Sequence, residues 1–262
     1  MQAIGKVFIA PVPIIKESKM SVVMDVYTGF SFTVGADGRK VDDADEIKCD
    51  DAIKIFIASS NESTLALTVT GSVQGGKKYD LVEEIEQQSK KFPSARFDTI
   101  RNYCHHLKVR LNKIITAAKR TGSIELDDKS GESFTEIMVV GYFKGSPVFY
   151  TFSFAHEGTG IALDVSNRTS DLFNGYVYAR GSRIIPELVC SGDVRFSQYR
   201  DDLCVQPQIL DQDFSFRYVK AYIAACSDRA AQDVDPFCKI VGGHAHIVEI
   251  NSSGYEWKIP PK

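Results

Sequence analysis

An excess of charge, a long apolar run, a paired-cysteine motif and an internal repeat are all missing from this chain. Its formal net charge is -3 over 262 residues. It therefore carries neither a basic field for nucleic acid nor an acidic tail, and no nucleic-acid partner is expected. No apolar stretch approaches bilayer-spanning length, so no membrane partner is expected either. The segment from Met1 to Lys16 is apolar in part, but Pro11 and Pro13 interrupt it and no small-x-small site closes it. It is at best a weak signal-peptide candidate.

The six cysteines (Cys49, Cys104, Cys190, Cys204, Cys226 and Cys238) are scattered, with no CxxC pair. In a chain of this length they read as free thiols in a reducing compartment, which points to the cytoplasm. No zinc-ligand spacing is present. His105 and His106 are adjacent, so on a helix they diverge by about 100° and cannot share a metal. His244 and His246 share a strand face and read as ordinary histidines rather than a metal pair. No metal and no cofactor are expected.

What is present is an ordinary globular composition, 44% hydrophobic and 25% charged, enough to bury a substantial core. Ser21 to Val26 and Phe30 to Ala36 are apolar runs across Tyr27-Thr28-Gly29, a hairpin signature. Ile53 to Ala58 and Thr64 to Thr70 form a second pair across Ser59 to Glu62. From Tyr79 to Arg120 the apolar period becomes helical, and Pro93 divides it into helices near 79–91 and 94–120. Strands return at Glu136 to Tyr142, Pro147 to Phe154 and Tyr176 to Ala179. A helix near Ile184 to Cys190 follows, then one from Asp213 to Gln232. Strand-like stretches at Lys239 to Ile250 and Tyr255 to Ile259 close the chain. Segregated runs of strands and helices predict an α+β fold with packed layers. With no linker or repeat, one domain over 21–262 is expected behind an amino-terminal extension or propeptide, 1–20.

The stretch from Ser21 to Lys54 carries the chemistry. It sets a hydroxyl at a strand start, Asp37 after a second strand and Lys54 on a third. A hydroxyl needs a base beside it to act as a nucleophile. Here the base can be the residue's own α-amine, provided that the working chain begins at Ser21. On the residues alone, Ser21 is either such a nucleophile or a plain strand-start serine. Asp37 is either functional or a turn or salt-bridge carboxylate. An inward Lys54 among Ile53, Ile55 and Phe56 needs a partner, and Asp37 is a sensible one. Ser182 reads first as a helix N-cap.

Ala36-Asp37-Gly38-Arg39, with Asp37 sixteen positions after Ser21, resembles the Ala-x-Asp-x-Arg segment of the proteasome β-type subunits, in the N-terminal nucleophile (Ntn) hydrolase superfamily. Asp51 to Phe56 is similar to that family's lysine strand, and Thr68 to Ser72 to its small-residue strand end. Gly141 to Tyr150, Ala179 to Ser182, Asp235 to Cys238 and Val241 to Val248 resemble later segments in order. The similarity spans about residues 20–258.

The resemblance implies a four-layer αββα sandwich, with two antiparallel sheets between helical layers. It also implies a threonine-peptidase relative, a hydrolase of peptide or protein substrates, assembled as a homo-oligomeric ring. A partner ATPase is left open. The implied catalytic set is Ser21, Asp37 and Lys54, with Ser182, Asp235 and Cys238 in support and the Gly71 and Ser72 backbone as oxyanion donors. The chain departs from the family in having serine at the nucleophile position, Met20 rather than glycine before it, and Cys238 in place of a serine. The rival expectation is a non-catalytic subunit of the same fold, acting as a scaffold.

Overall fold

The computed structural model describes residues 22–41, 46–71, 74–75, 79–92, 97–121, 133–157, 160–204 and 212–262. The expected extension 1–20, Ser21 and Ser72 lie outside the described residues. In chain order come strands β1 (Val23–Tyr27), β2 (Ser31–Ala36), β3 (Lys40–Val41), β4 (Ile47–Cys49), β5 (Ile55–Ser59), β6 (Ser63–Gly71), β7 (Gln74–Gly75) and β8 (Tyr79–Asp80). Helices α1 (Leu81–Lys91) and α2 (Ile100–Arg120) follow, then β9 (Ser133–Phe143), β10 (Ser146–Glu157), β11 (Gly160–Asn167) and β12 (Tyr176–Arg180). The last part holds α3 (Ile184–Ser191), α4 (Arg200–Leu203), α5 (Gln212–Ser227), α6 (Arg229–Val234), β13 (His246–Asn251) and β14 (Gly254–Ile259).

The fold is α+β. One five-stranded sheet runs β12-β1-β2-β13-β14 and the other β11-β10-β9-β6-β5, with two small two-stranded sheets beside them. Neighbouring strands in both large sheets pair antiparallel. The turn residues explain the first hairpin. Gly29 takes φ +92°, which a side chain rarely adopts, and Thr28 N–H donates to the Ser31 carbonyl at 3.0 Å.

Strand period two sorts the apolar residues into separate clusters. On β1, Met24 and Val26 pack against Ile185 and Val189 of α3 and Val219 and Ile223 of α5. The alternate residues Val23 and Tyr27 face Ile55, Met138, Val140 and Phe149 of the other sheet. On that second sheet, Leu65, Leu67, Ile137 and Val139 pack against Leu81 and Ile85 of α1 and Leu107 and Leu111 of α2. Each fully buried aliphatic side chain contributes about 1.5–3 kcal/mol. This arrangement is compatible with a sandwich.

The helix caps follow the sequence. Asp80 accepts from Glu83 N–H at the start of α1, and Thr99 from Asn102 N–H at the start of α2. Both starts fall later than the periodicity predicts: Tyr79–Asp80 pairs with Gln74–Gly75 ahead of α1, and Thr99 is extended where it caps α2.

Four expectations change. The helix from Asp213 to Gln232 is two helices, since Asp228 turns extended and caps α6 through Ala230 N–H. The stretch from Lys239 to Ile250 is not one strand. It begins in the end of a 3-10 turn over Pro236–Ile240, passes Gly242 and Gly243 at φ +149° and +74°, and only then enters β13. Strand β11 was not foreseen at all. Finally, Cys190 and Cys204 form a disulfide, leaving Cys49, Cys104, Cys226 and Cys238 as free thiols. The cytoplasmic expectation rested on six unpaired thiols and loses that support. No described helix is long and apolar enough to cross a membrane.

Candidate active site

The site grows from the end of the β1–β2 hairpin. Asp37 N–H donates to the Val22 carbonyl at 3.1 Å, extending the ladder one step past Val23 and Ala36. This turns the Asp37 carboxylate back under the start of β1, where it is fully buried. Four donors converge on it. Oδ1 accepts from Val22 N–H at 2.9 Å and from Lys54 Nζ at 2.7 Å. Oδ2 accepts from Gly242 N–H at 3.2 Å and Arg39 N–H at 3.3 Å. A buried carboxylate persists only with such partners.

Lys54 lies just before β5, in the other sheet, and its ammonium crosses to the first. Nζ donates to Asp37 Oδ1 and, at 2.6 Å, to the Arg39 carbonyl. Among the described residues nothing takes its third proton. Burial holds the Lys54 ammonium below its ordinary pKa, while the Asp37 charge pulls the other way. The Lys54 backbone is held as well. Its carbonyl accepts from Val69 N–H at 3.2 Å, and its N–H donates to His246 Nε2 at 3.1 Å. Burial first, and then the Lys54 charge, push the His246 imidazolium down to about 4. The ring is therefore neutral near pH 7 and able to accept.

The approach of the Gly242-Gly243 loop is close. A Cβ on Gly242 would come within 2.8 Å of the Arg39 guanidinium, and one on Gly243 would strike the Asp50 backbone. Arg39 in turn donates from Nε to Asp50 Oδ1 at 2.7 Å and from Nη1 to the Val241 carbonyl at 3.3 Å. This lattice locks the loop that delivers Gly242 N–H to Asp37.

The other expected residues sit as follows. Gly71 ends β6 at φ +94°, two positions beyond the Val69 that bonds Lys54. Ser182 is buried; its Oγ accepts from Ile185 N–H at 3.2 Å and its carbonyl from Tyr222 OH at 2.9 Å. Its hydroxyl oxygen thus caps the first turn of α3. Asp235 caps the next 3-10 turn through Phe237 N–H at 3.0 Å. Cys238 is fully buried in the cluster under α5, beside Cys226. Asp37, Lys54 and the start of β1 come together directly. Ser182, Asp235 and Cys238 bond neither Asp37 nor Lys54 and sit in the α3, 3-10-turn and α5 region instead.

His246, Arg39 and Gly242 were not expected to touch the pair. Arg39 and Gly242 stood inside the motif segments and His246 beside His244, but nothing in their spacing pointed to these contacts. His244 does not join it in a metal pair: its Nε2 lies 2.8 Å from the Pro260 carbonyl. No cluster of three metal-ligating side chains is found among the described residues.

A second polar group lies between the sheets. Glu136 on β9 accepts from Arg180 Nη2 at 2.8 Å, from Ser153 Oγ at 3.3 Å and from the Tyr178 hydroxyl. Asp25, opposite Val34 and Tyr178 on β1, is fully buried, and neither carboxyl oxygen has a hydrogen-bond partner among the described residues. Burial raises its pKa well above the usual carboxylate range.

No family model and no curated protein matches the chain. Among solved structures it is similar to Anbu (ancestral beta-subunit) from Yersinia bercovieri, at 10% identity and a TM-score of 0.50, over 90% of this chain and 86% of that one. It is also similar to the Anbu (Gly-1) mutant from Hyphomicrobium sp. strain MC1, at 12% identity and a TM-score of 0.51, over the same shares. Identities this low show a fold and nothing more. They also correct the family expected from the sequence motifs. The neighbours are Anbu proteins, proteasome-like but distinct, and nothing supports a place among the proteasome β-type subunits of the Ntn superfamily.

Proposed function

We propose that this chain is an amide hydrolase of proteasome-like fold whose nucleophile is the Ser21 hydroxyl, activated by its own α-amine. The observation that carries the reading is the bond from Val22 N–H to Asp37 Oδ1, 2.9 Å long, on the same oxygen that holds Lys54. Covalent geometry keeps the Cα of residue 21 within about 2.5 Å of the Val22 nitrogen. A residue tethered so near a buried Lys–Asp pair is in reach of both.

In the reaction the Ser21 oxygen attacks a peptide carbonyl while the α-amine takes the hydroxyl proton. An α-amine with an ordinary pKa near 8 suits that task at neutral pH. The Lys54 cation favours the neutral amine and the developing alkoxide. Asp37 orients Lys54. The Gly71 and Ser72 backbone N–H groups take the oxyanion. The amine then returns its proton to the leaving nitrogen, and water releases the acyl group from Ser21. Ser182, Asp235 and Cys238 support the site from the α3–α6 side.

The rest of the reading follows. Residues 21–262 form one domain, and the three apolar clusters support a four-layer αββα order within it. Residues 1–20 are removed, or initiation occurs at Met20 and that methionine is lost. The substrate is a peptide or protein. The word subunit in the neighbours' name supports assembly into a homo-oligomeric ring. Amino-terminal sequencing of the active protein, together with hydrolysis assays on Ser21→Ala, tests this. A start at Ser21 with loss of hydrolysis in the variant is expected; turnover by protein retaining residues 1–20 would refute it. A non-catalytic scaffold is the second reading, favoured by Ser182 and Cys238 being engaged in the core.

A further inference from the structure

The sequence motifs account for Asp37 and Lys54 but leave His246 without a task. It is 1% exposed, at the start of β13, directly opposite Ala36. Buried histidines usually hold or donate a proton to something specific. Here Nε2 accepts from the backbone N–H of Lys54, a residue 192 positions earlier in the opposite sheet. The ring packs 6.3 Å from the Trp257 ring. With Nε2 accepting, the proton of the neutral ring sits on Nδ1.

Lys54 precedes the first residue of β5, where ladder bonds no longer hold the chain on both sides. One backbone group, its carbonyl, is tied within its own sheet through Val69. The other, its N–H, has the imidazole. Without that acceptor a buried N–H would be left unsatisfied, and the Lys54 Cα would be free to shift relative to Asp37.

We propose that His246 is a positioning residue, a neutral imidazole clamping the Lys54 backbone across the two sheets so that Nζ stays on Asp37. It touches neither substrate nor the reacting atoms. The charged and titratable groups around it are Lys54 ahead of β5, Asp37 and Arg39 beyond the end of β2, and His244 on its own segment. This role rests on the hydrolase reading given above, so its test needs a part that does not.

The test uses His246→Phe, which keeps a flat ring and removes the acceptor, and His246→Gln, which offers a non-titrating acceptor. Amide exchange at Lys54 and the titration of its ammonium, both read by NMR, do not depend on catalysis. Protection of the Lys54 amide is expected in the native protein and in His246→Gln, and its loss in His246→Phe. The Lys54 ammonium pKa should move in His246→Phe alone. Adduct formation with a hydroxyl-reactive peptide electrophile, at saturation, should slow by about ten- to a hundredfold in His246→Phe with little change in the half-saturating concentration. His246→Gln should restore most of the rate.

Unchanged Lys54 exchange and titration in His246→Phe would overturn the proposal whether or not the chain hydrolyses anything. Lost protection with an unslowed adduct rate would overturn the positioning role. Absence of any adduct in the native protein would sink the hydrolase reading instead, leaving the clamp to be judged by the two NMR readouts.

Discussion

Asp25 should make this protein less stable as the pH rises, and replacing it with asparagine should remove that dependence. The carboxyl is fully buried, with no hydrogen-bond partner among the described residues, and burial raises its pKa well above the usual range. In the unfolded chain it ionises near pH 3.9. Above that pH the unfolded state gives up the proton while the folded state keeps it. The folded state then binds more protons, so stability falls as pH rises, by about 1.4 kcal/mol per unit, until the folded pKa is reached. In Asp25→Asn this slope is absent. The new amide also leaves donors unsatisfied, at about 1–3 kcal/mol, but that cost does not vary with pH.

The diagnostic quantity is therefore the difference between the two proteins, not either value alone. At roughly 2–4 °C per kcal/mol for a chain of about this size, the melting temperature of the variant should gain about 3–6 °C on the native protein per pH unit above pH 4, until the folded pKa is reached. Thermal melts from pH 4 to 8 in matched ionic strength measure it. A difference that stays flat across that range would mean that Asp25 ionises normally, and that the burial argument is wrong.

Other perturbations follow from the same contacts. Lys54→Met strands the buried Asp37 carboxylate without its cation and should cost about 3–5 kcal/mol in urea unfolding; a loss under 1 kcal/mol would show the pair to be solvated. Gly35→Ala drives a methyl into Val219 and to 2.9 Å from Ile223 Cδ1 on α5, so a loss of about 1–3 kcal/mol by the same assay is expected. The bridge between Cys190 and Cys204 spans 14 residues of sequence. Reduction, or Cys190→Ser, should lower stability by about 3 kcal/mol, and titration under denaturing, non-reducing conditions should find only the other four thiols.

Much of this was legible in the chain, for physical reasons. The β1–β2 hairpin announces itself through Gly29, and the α1–α2 region through its three- and four-residue apolar steps. The Asp37–Lys54 pair was legible because a lysine among isoleucines must find a counter-charge. The strand β11 was not, because Gly160 to Asn167 carries Asp164 and Ser166, whose bond to each other marks an exposed edge. The break between α5 and α6 was hidden because Ala224 to Cys226 and Ala230 to Ala231 read as one helical run, and the Ser227-Asp228-Arg229 step between them is short enough to sit on its solvated face. Pairing of Cys190 with Cys204 depends on how α3 and α4 fold back on each other, which spacing does not encode. His246 was equally hidden: its partner is a backbone N–H in the opposite sheet. The family reading failed for a related reason. Short motifs in the right order follow the fold, and here the fold is shared with Anbu proteins.

The claim that the Asp37–Lys54 pair serves a nucleophile at residue 21 is tested most directly by mapping a covalent adduct. The protein would be treated with a hydroxyl-reactive peptide electrophile and the modified residue located by mass spectrometry. One adduct is expected, on Ser21 with a free α-amine, absent from Ser21→Ala and strongly slowed in Lys54→Met. An adduct on another residue, or equal labelling in Ser21→Ala, would contradict it.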